Sequence, residues 1–503
     1  MDLTVCDLAA GVADAQLWVL PVCEDVGLAE AAAVVDRQLG GGLSQVAQPA
    51  AGGRLGRRAT VWVTRAGAGP VRLVAVGLGR GAAVDGYGLR NAVELALRGQ
   101  AAAGAAILLD RRTLAALGVV RDLGAAAALR LALEGAVRAT GDWGRSGDGA
   151  VASLGRVVVA TDWEGIEGRD RAAADAALLG SAANRVRRWQ WTPSNHLTPA
   201  RFAAEAVRLG GEAGLEAEVL EQAELRRSGY GGILGVAQGS AEAPCLVVLR
   251  HRPPRPGPVL GLVGKGVTFD AGGMAIKPAK DLHLMKSDMS GAAAVLGALL
   301  VVASWRPAVG VIGVLPLSEN VLGTGSMKSG DVVAMADGTT VEVTNPDAEG
   351  RLLLADGLVH ARLSGATHLV SIGTLTDAVS LAQGPTVSGA IGADDTLLAQ
   401  LEAAAALGGE RLLRLRMYPE YDDVLDSDVA AVRNEADDLH EEPVAAAVFL
   451  RRFVERAAWV HLDIGGSASN EHANLYDVVP RGPSAVATAT LAHLTRVLAE
   501  TVA

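Results

Sequence analysis

Residues 345–352 read NPDAEGRL, and the apolar run LLADGLVHARL follows at once from Leu353. Asp347 and Glu349 stand two positions apart, Arg351 two further on, and Pro346 precedes the first acid. So much charge in a turn, set directly against an apolar helix, is either a solvated surface turn or a ligand turn. A second stretch favours the ligand turn. Residues 261–291 read GLVGKGVTFDAGGMAIKPAKDLHLMKSDMSG. An apolar strand runs into Lys265 between two glycines, then Asp270, then Gly272-Gly273 and Lys277-Pro278, with Asp288 near the start of a second apolar run.

Asp270, Asp288, Asp347 and Glu349 offer hard oxygen donors suited to Mg²⁺, Mn²⁺ or Zn²⁺. Lys265 follows an apolar strand directly, so its stem is held against the core. A desolvated lysine gives up its proton more easily, and a neutral amine can ligate a metal. Four carboxylates are then balanced by two divalent ions, where four bare carboxylates would repel. Bland readings exist for single residues. Asp288 could be a favourable charge in a helix's first turn, and Asp270 a turn residue before two glycines.

Other chemistries fail on spacing. GKG after a strand suggests a phosphate loop, but GxxxxGK[ST] needs Gly at 259 and Ser or Thr at 266, where the chain has Val259 and Gly266. GLG at 77–79 lacks the rest of a dinucleotide fingerprint, and no HExxH helix is present.

The elements that must position these residues are those of an α/β protein. VRLVAVGLG (71–79) and RVVVATD (156–162) read as strands, and GLRNAVELALRGQAAAG (88–104) as a helix. Residues 169–190 read as a long helix ending at WTPSNHLTP, where two prolines mark a break. Beyond it, CLVVLRH (245–251), VLGLVGKG (259–266), VGVIGVLPL (309–317), HLVSIGTL (368–375) and WVHLDIGG (459–466) are strand candidates. Their continuous Val/Ile/Leu runs suit strands covered on both faces. VVAMADGTTVEVTN (332–345) reads as a hairpin through Asp337-Gly338. LMKSDMSGAAAVLGALL reads as one helix with Met285 and Met289 on its apolar side. The expectation is two domains: a smaller N-terminal α/β domain over 1–165, a linking helix over 166–190, and a larger C-terminal α/β domain over 191–503 with a mixed central sheet flanked by helices. Sites in such folds lie at the carboxyl ends of strands.

Bulk properties agree. The chain has 503 residues, too many for one ordinary core. Half are hydrophobic but only 3% aromatic, so the core is built from Ala, Val and Leu. A net charge of -11 disfavours a nucleic-acid surface. Cys6, Cys23 and Cys245 form no CxxC pair and no disulfide framework. The first residues carry acids where a signal peptide needs bases, and the longest apolar stretch falls short of a membrane span of ~20 residues. A soluble, cytoplasmic protein without a membrane partner is expected.

At its two charged clusters the chain resembles the leucyl (cytosol) aminopeptidase family of dinuclear metallopeptidases. NPDAEGRL matches the family's NTDAEGRL, and VGKGVTFDAGGMAIKPAKDLHLMKSDMSGAA its lysine–aspartate cluster. WTPSNHLTP, GVAQGS (235–240), PLSEN (316–320), KSGDVV (328–333) and WVHLDIGGSAS (459–469) extend the likeness over roughly 185–503. The resemblance implies a leucyl aminopeptidase-type enzyme that releases N-terminal amino acids from peptides with a free N-terminus. Two divalent ions, Mn²⁺ or Zn²⁺ with Mg²⁺ an option at one site, would be held by Lys265, Asp270, Asp288, Asp347 and Glu349, with Asp270 and Glu349 bridging. Lys277 and Arg351 would be the catalytic non-ligand residues, Lys277 on the developing oxyanion and Arg351 holding a bicarbonate. The resemblance further implies a homohexamer, with the N-terminal domain contributing to assembly.

Four departures stand out. Pro346 replaces Thr, and Ala271 replaces a common Ser; both changes are mild. Asp377 stands where the family has a glycine lining the first side-chain pocket, for which Met285 and Thr374 match other positions. A carboxylate there would narrow the pocket or attract Lys or Arg, shifting preference from Leu toward basic or polar first residues; pointing away, it would leave specificity Leu-type or broad. The loop DDLHEEPVAAAVFL (437–450) lacks the family's glycines, and His440, Glu441 and Glu442 read as a solvated face rather than ligands. Two rival functions are a non-catalytic paralogue acting as a binding or regulatory protein and a nucleotide-binding protein. The retained charged residues oppose the first and the failed loop count opposes the second.

Overall fold

The computed structural model describes residues 1–26, 36, 54–64, 69–142, 152–436, 442–470 and 479–501. The chain divides into two compact units. The first comprises Met1–Asn184, Ala406–Glu410 and Asn470–Gly482; the second comprises Arg185–Ala405, Arg411–Ser469 and Pro483–Ala503.

The first unit is built on a six-stranded sheet: β1 (Asp2–Asp7), β2 (Leu17–Cys23), β3 (Arg58–Thr64), β4 (Pro70–Gly79), β5 (Ala101–Leu108) and β6 (Ser153–Thr161). The strand order is β1-β6-β5-β2-β4-β3, and every neighbouring pair is parallel except β3 with β4. Helices α1 (Gly86–Leu97) and α2 (Ala125–Ala139) meet through a buried ionic cluster. Glu134 receives Arg90 at 3.3 Å and Arg130 at 2.7 Å, and Glu94 receives Arg138 at 3.1 Å. Buried charges survive because each is paired. The expected helix over 88–104 is corrected: it stops at Leu97, Gly99 turns the chain at φ 75°, and the alanines beyond begin β5. Pairing with β2 and β6 on either side overrides the helical preference of those alanines.

The second unit holds a nine-stranded mixed sheet. Its strands are β7 (Glu216–Glu221), β8 (Cys245–His251), β9 (Val259–Gly264), β10 (Gly266–Asp270), β11 (Gly310–Asn320), β14 (His368–Gly373), β15 (Ser388–Gly392), β16 (Leu412–Leu415) and β18 (Ala458–Asp463). The order is β16-β15-β18-β14-β9-β11-β8-β7, with β10 pairing β11. The central strands β18, β14, β9 and β11 run parallel. A separate small sheet joins the hairpin β12 (Asp331–Ala334) and β13 (Thr340–Val343), turned at Gly338 (φ 88°), to β17 (Val432–Arg433). The long helix that reaches into this unit, α3, spans Arg169–Trp191.

The segment expected as one helix around Asp288 is two elements. A 3-10 turn covers Leu282–Ser287, and α4 (Ser290–Trp305) follows. The stretch Leu282–Trp305 is apolar and long enough to cross a membrane, but 83% of its most apolar window is buried within the protein. It is a core helix packed on the sheet.

Helix α5 (Gly350–Leu363) carries the charged turn at its start. Asp356, fully buried, anchors it by accepting the backbone N–H of Ile233 at 2.9 Å and of Ala336 at 2.9 Å. Burial pushes the Asp356 carboxyl up to about 7, against the pull of these donors. Asp356→Ala should leave those buried N–H groups without acceptors and destabilise this unit by about 2–4 kcal/mol, read from chemical denaturation.

Candidate metal and active site

The charged residues meet at the carboxyl ends of the central strands. Lys265 follows β9, Asp270 ends β10, Thr374 follows β14, and Asp463 ends β18. Asp288 lies between the 3-10 turn and α4, while Asp347, Glu349 and Arg351 lead into α5. All five expected metal ligands converge. Asp270, Asp347 and Glu349 each place a carboxylate oxygen within 4.8 Å of the others. Lys265 Nζ lies 2.8 Å from Asp288 Oδ2 and 2.8 Å from Glu349 Oε1, and it donates to the Thr374 carbonyl at 2.9 Å. Lys277 Nζ lies 2.9 Å from Asp270 Oδ2 and 2.6 Å from Asp347 Oδ1.

Local structure explains the convergence. The NPDAEGRL segment is a hydrogen-bonded turn. Ala348 N–H donates to the Asn345 carbonyl at 3.1 Å, and Asp347 N–H to the Asn345 side chain at 2.8 Å. Glu349 is already helical at φ -75°, ψ -34°. Asp347 and Glu349 therefore reach one cluster because the chain folds over, not by strand alternation. Gly350 is needed because a Cβ there would lie 2.6 Å from the Lys265 stem. Gly272 and Gly273 turn the chain after Asp270 with φ of 86° and 58°.

Two opposed effects act on the Lys265 charge. Burial works against the Lys265 charge, but Asp288, Glu349 and Asp270 together hold its pKa above the ordinary value. Lys277 behaves alike, with burial outweighed by Asp270 and Asp347. The two ammonium groups thus supply the positive charge that the carboxylates need. Burial raises the pKa of Glu349, Asp288 and Asp347, with the neighbouring Asp270 adding to it in each. Asp288 Oδ2 and Asp347 Oδ1 are buried without a well-angled hydrogen bond. This set of convergent, incompletely satisfied hard donors fits divalent cations. Cation charge would reverse the local preference and favour a neutral lysine.

Further residues that sequence reasoning missed hold the ligands. Asn320 donates to Asp270 Oδ1 at 2.9 Å and to the Pro346 carbonyl at 3.1 Å. Its only sequence signal was its place at the end of the apolar strand in PLSEN. Asn434 accepts from the N–H groups of Thr344 at 2.9 Å and Asn345 at 3.2 Å, and donates to the Asn345 carbonyl at 2.7 Å. Asp463 accepts the Thr376 hydroxyl at 2.7 Å and so fixes the wall leading to Asp377. Thr374, expected only in the pocket, also donates to Asp288 Oδ1 at 2.6 Å.

A cavity of about 540 Å³ opens over the cluster. Lys265, Asp270, Lys277, Asp288, Asp347 and Arg351 line it, together with the expected pocket residues Met285, Thr374 and Asp377. Asp377 is exposed, and no hydrogen bond or ion pair ties its carboxylate among the described residues. Glu442, expected on a solvated face, also lines the cavity; His440 and Glu441 lie outside the described residues. No histidine lines the cavity among the described residues. His461 is buried, bonded to Ser371 at 3.0 Å, and pushed by burial down to about 3.

Residues 184–492, more than half of the chain, match the profile of the cytosol aminopeptidase family, catalytic domain. A probable cytosol aminopeptidase of Solibacter usitatus is 42% identical over 344 residues, covering 68% of this chain and 70% of that protein. One from Geobacter sulfurreducens is 41% identical over 62% of this chain and 63% of its own length. One from Koribacter versatilis is 34% identical over 84% of this chain and 85% of its own length. The solved bottromycin maturation enzyme BotP in complex with Mn is 32% identical, with a TM-score of 0.80 over 96% of this chain and 99% of that one. Family profile and relatives agree with the geometry: the chain belongs to the cytosol aminopeptidase family and is a metal-dependent aminopeptidase.

Proposed function

We propose that the chain releases N-terminal amino acids from peptides, using two divalent ions held by Lys265, Asp270, Asp288, Asp347 and Glu349. The observation that carries this reading is the set of three carboxylates within 4.8 Å of one another, flanked by two buried or half-buried lysines beneath a cavity. When bound, such ions supply Lewis acidity that acidifies water and polarises a carbonyl. A solved relative that holds Mn supports a manganese-type ion. The free cysteines Cys6, Cys23 and Cys245 and the names of the relatives support a cytosolic setting. A homohexamer belongs to the same reading, by resemblance.

The residues divide the remaining work. Lys277 stays protonated beside the cluster and donates to the carbonyl oxygen as negative charge develops there. The cavity's acidic walls receive the cationic N-terminus of a peptide. Arg351, buried at the cavity edge, stands beside the proton carrier. That carrier is either a bicarbonate held on its guanidinium or a carboxylate already present. Met285, Thr374 and Asp377 surround the first side chain. The untied Asp377 carboxylate shifts preference from Leu toward Lys, Arg or polar residues.

Hydrolysis of Leu- and Arg-p-nitroanilide, after chelation and after return of Mn²⁺ or Zn²⁺, tests the reading. Activity should vanish on chelation and return with metal. Glu349→Ala and Lys277→Ala should each lose at least about 10²-fold in kcat. A folded, metal-loaded protein without activity would favour the binding-protein rival. Asp377→Gly should lower the rate on Arg relative to Leu by about tenfold or more; an unchanged ratio with Leu far ahead would remove the specificity claim.

Metal loading must also release protons. Lys265 and the raised carboxylates bind protons in the metal-free protein, while a ligand amine and ligand carboxylates are deprotonated. Affinity should therefore rise with pH across the neutral range. Calorimetry in two buffers of different ionisation enthalpy should show net proton release; equal apparent enthalpies would contradict it.

A further inference from the structure

Arg351 is the one catalytic position expected from the family resemblance whose surroundings do not fit its expected partner, a bicarbonate. Its guanidinium is only 4% exposed. One nitrogen donates to the Asn434 carbonyl at 2.8 Å, and another lies 3.7 Å from Glu435 Oε1. The Glu435 side chain is 30% exposed and faces the cavity. Its carboxylate is held from a second side by the Asn345 amide, which belongs to the ligand turn. Glu442 lines the same cavity and acts on the Arg351 charge. An external anion seated on Arg351 would therefore meet two carboxylates, one of them already paired with the guanidinium. Like charges at such spacing repel strongly once partly removed from water.

We propose that Glu435 is the resident anion of Arg351, that it excludes bicarbonate, and that its carboxylate is the proton carrier of the reaction. The proposal rests on the aminopeptidase reading above. The step balances without another reactant. The water O–H bond breaks as its oxygen bonds the peptide carbonyl carbon, and that proton passes to Glu435. The carbonyl π pair moves to oxygen. On collapse the C–N bond breaks, the nitrogen takes the proton from Glu435, and the carboxylate is regenerated. Arg351 and Asn345 hold Glu435 in place before the attack. The absence of histidine from the described cavity lining leaves this role to a carboxylate. Asn345 ties the carrier to the turn that supplies Asp347 and Glu349, so carrier and ligands keep one register.

The test compares wild type, Glu435→Gln and Glu435→Ala in CO₂-stripped buffer, each loaded with Mn²⁺ and matched for metal content. Wild type should be fully active without bicarbonate and unchanged by adding it. Both variants should lose about 10²-fold or more in kcat with little change in KM. Millimolar bicarbonate or formate should restore much of the Glu435→Ala rate, because the opened space admits an anion. A second readout needs no activity: bicarbonate should raise the Tm of metal-free Glu435→Ala but not of metal-free wild type. The proposal is overturned if wild type depends on bicarbonate as strongly as Glu435→Ala, or if Glu435→Ala is as fast as wild type in stripped buffer. A wild type with no metal-dependent activity would overturn the aminopeptidase reading instead, and the Tm comparison would still decide which anion Arg351 holds.

Discussion

Buried like charge is the constraint on which the rest of this structure depends. Asp270, Asp288 and Glu349 are all at most 6% exposed, with half-buried Asp347 beside them. Removed from water, such a group is tolerable only beside positive charge and well-placed donors. Lys265 and Lys277 supply positive charge, and the Asn320 amide and Thr374 hydroxyl supply donors. The sheet brings these groups together because parallel strands end on one edge. The charged loops after β9, β10, β14 and β18 need no long reach to meet there.

The same constraint shows why the cluster is both stable and ready to change hands. A lysine between two carboxylates and a divalent ion held by such carboxylates would be alternative answers to one electrostatic problem. The lysine is bound covalently to the chain and always present; the ion is stronger but must arrive. Exchange between them would release protons to solvent, and the Lys265 stem is packed closely against Gly350.

Much of this was legible in the sequence, and the exceptions have physical causes. Continuous Val/Leu runs such as Cys245–His251 marked strands covered on both faces, and the structure places that strand over the same residues. The charged pair at Asp347 and Glu349 was visible from residue type and punctuation. Its conformation was not, because an Asx turn set by Asn345 and a distant Asn434 folds the segment over. Asn434 and Glu435 lie more than eighty residues downstream, so nothing in the local pattern of NPDAEGRL points to them. The burial of Lys265 was visible in the sequence, while the number of carboxylates around its one nitrogen was not. Alanines at 101–108 carry little side-chain information, and only their strand neighbours decide their state.

The Asn434 side chain has a consequence beyond the chemistry. Its amide engages Thr344, Asn345 and Ala348, so it closes the ligand turn with groups that belong wholly to the chain. The turn is thus shaped by the chain's own hydrogen bonds. A site built in this way does not spend binding energy on ordering its own backbone. Discrimination among cations held by such a site would then fall to the spacing of its oxygens, as a rigid gauge accepts or refuses a part by size.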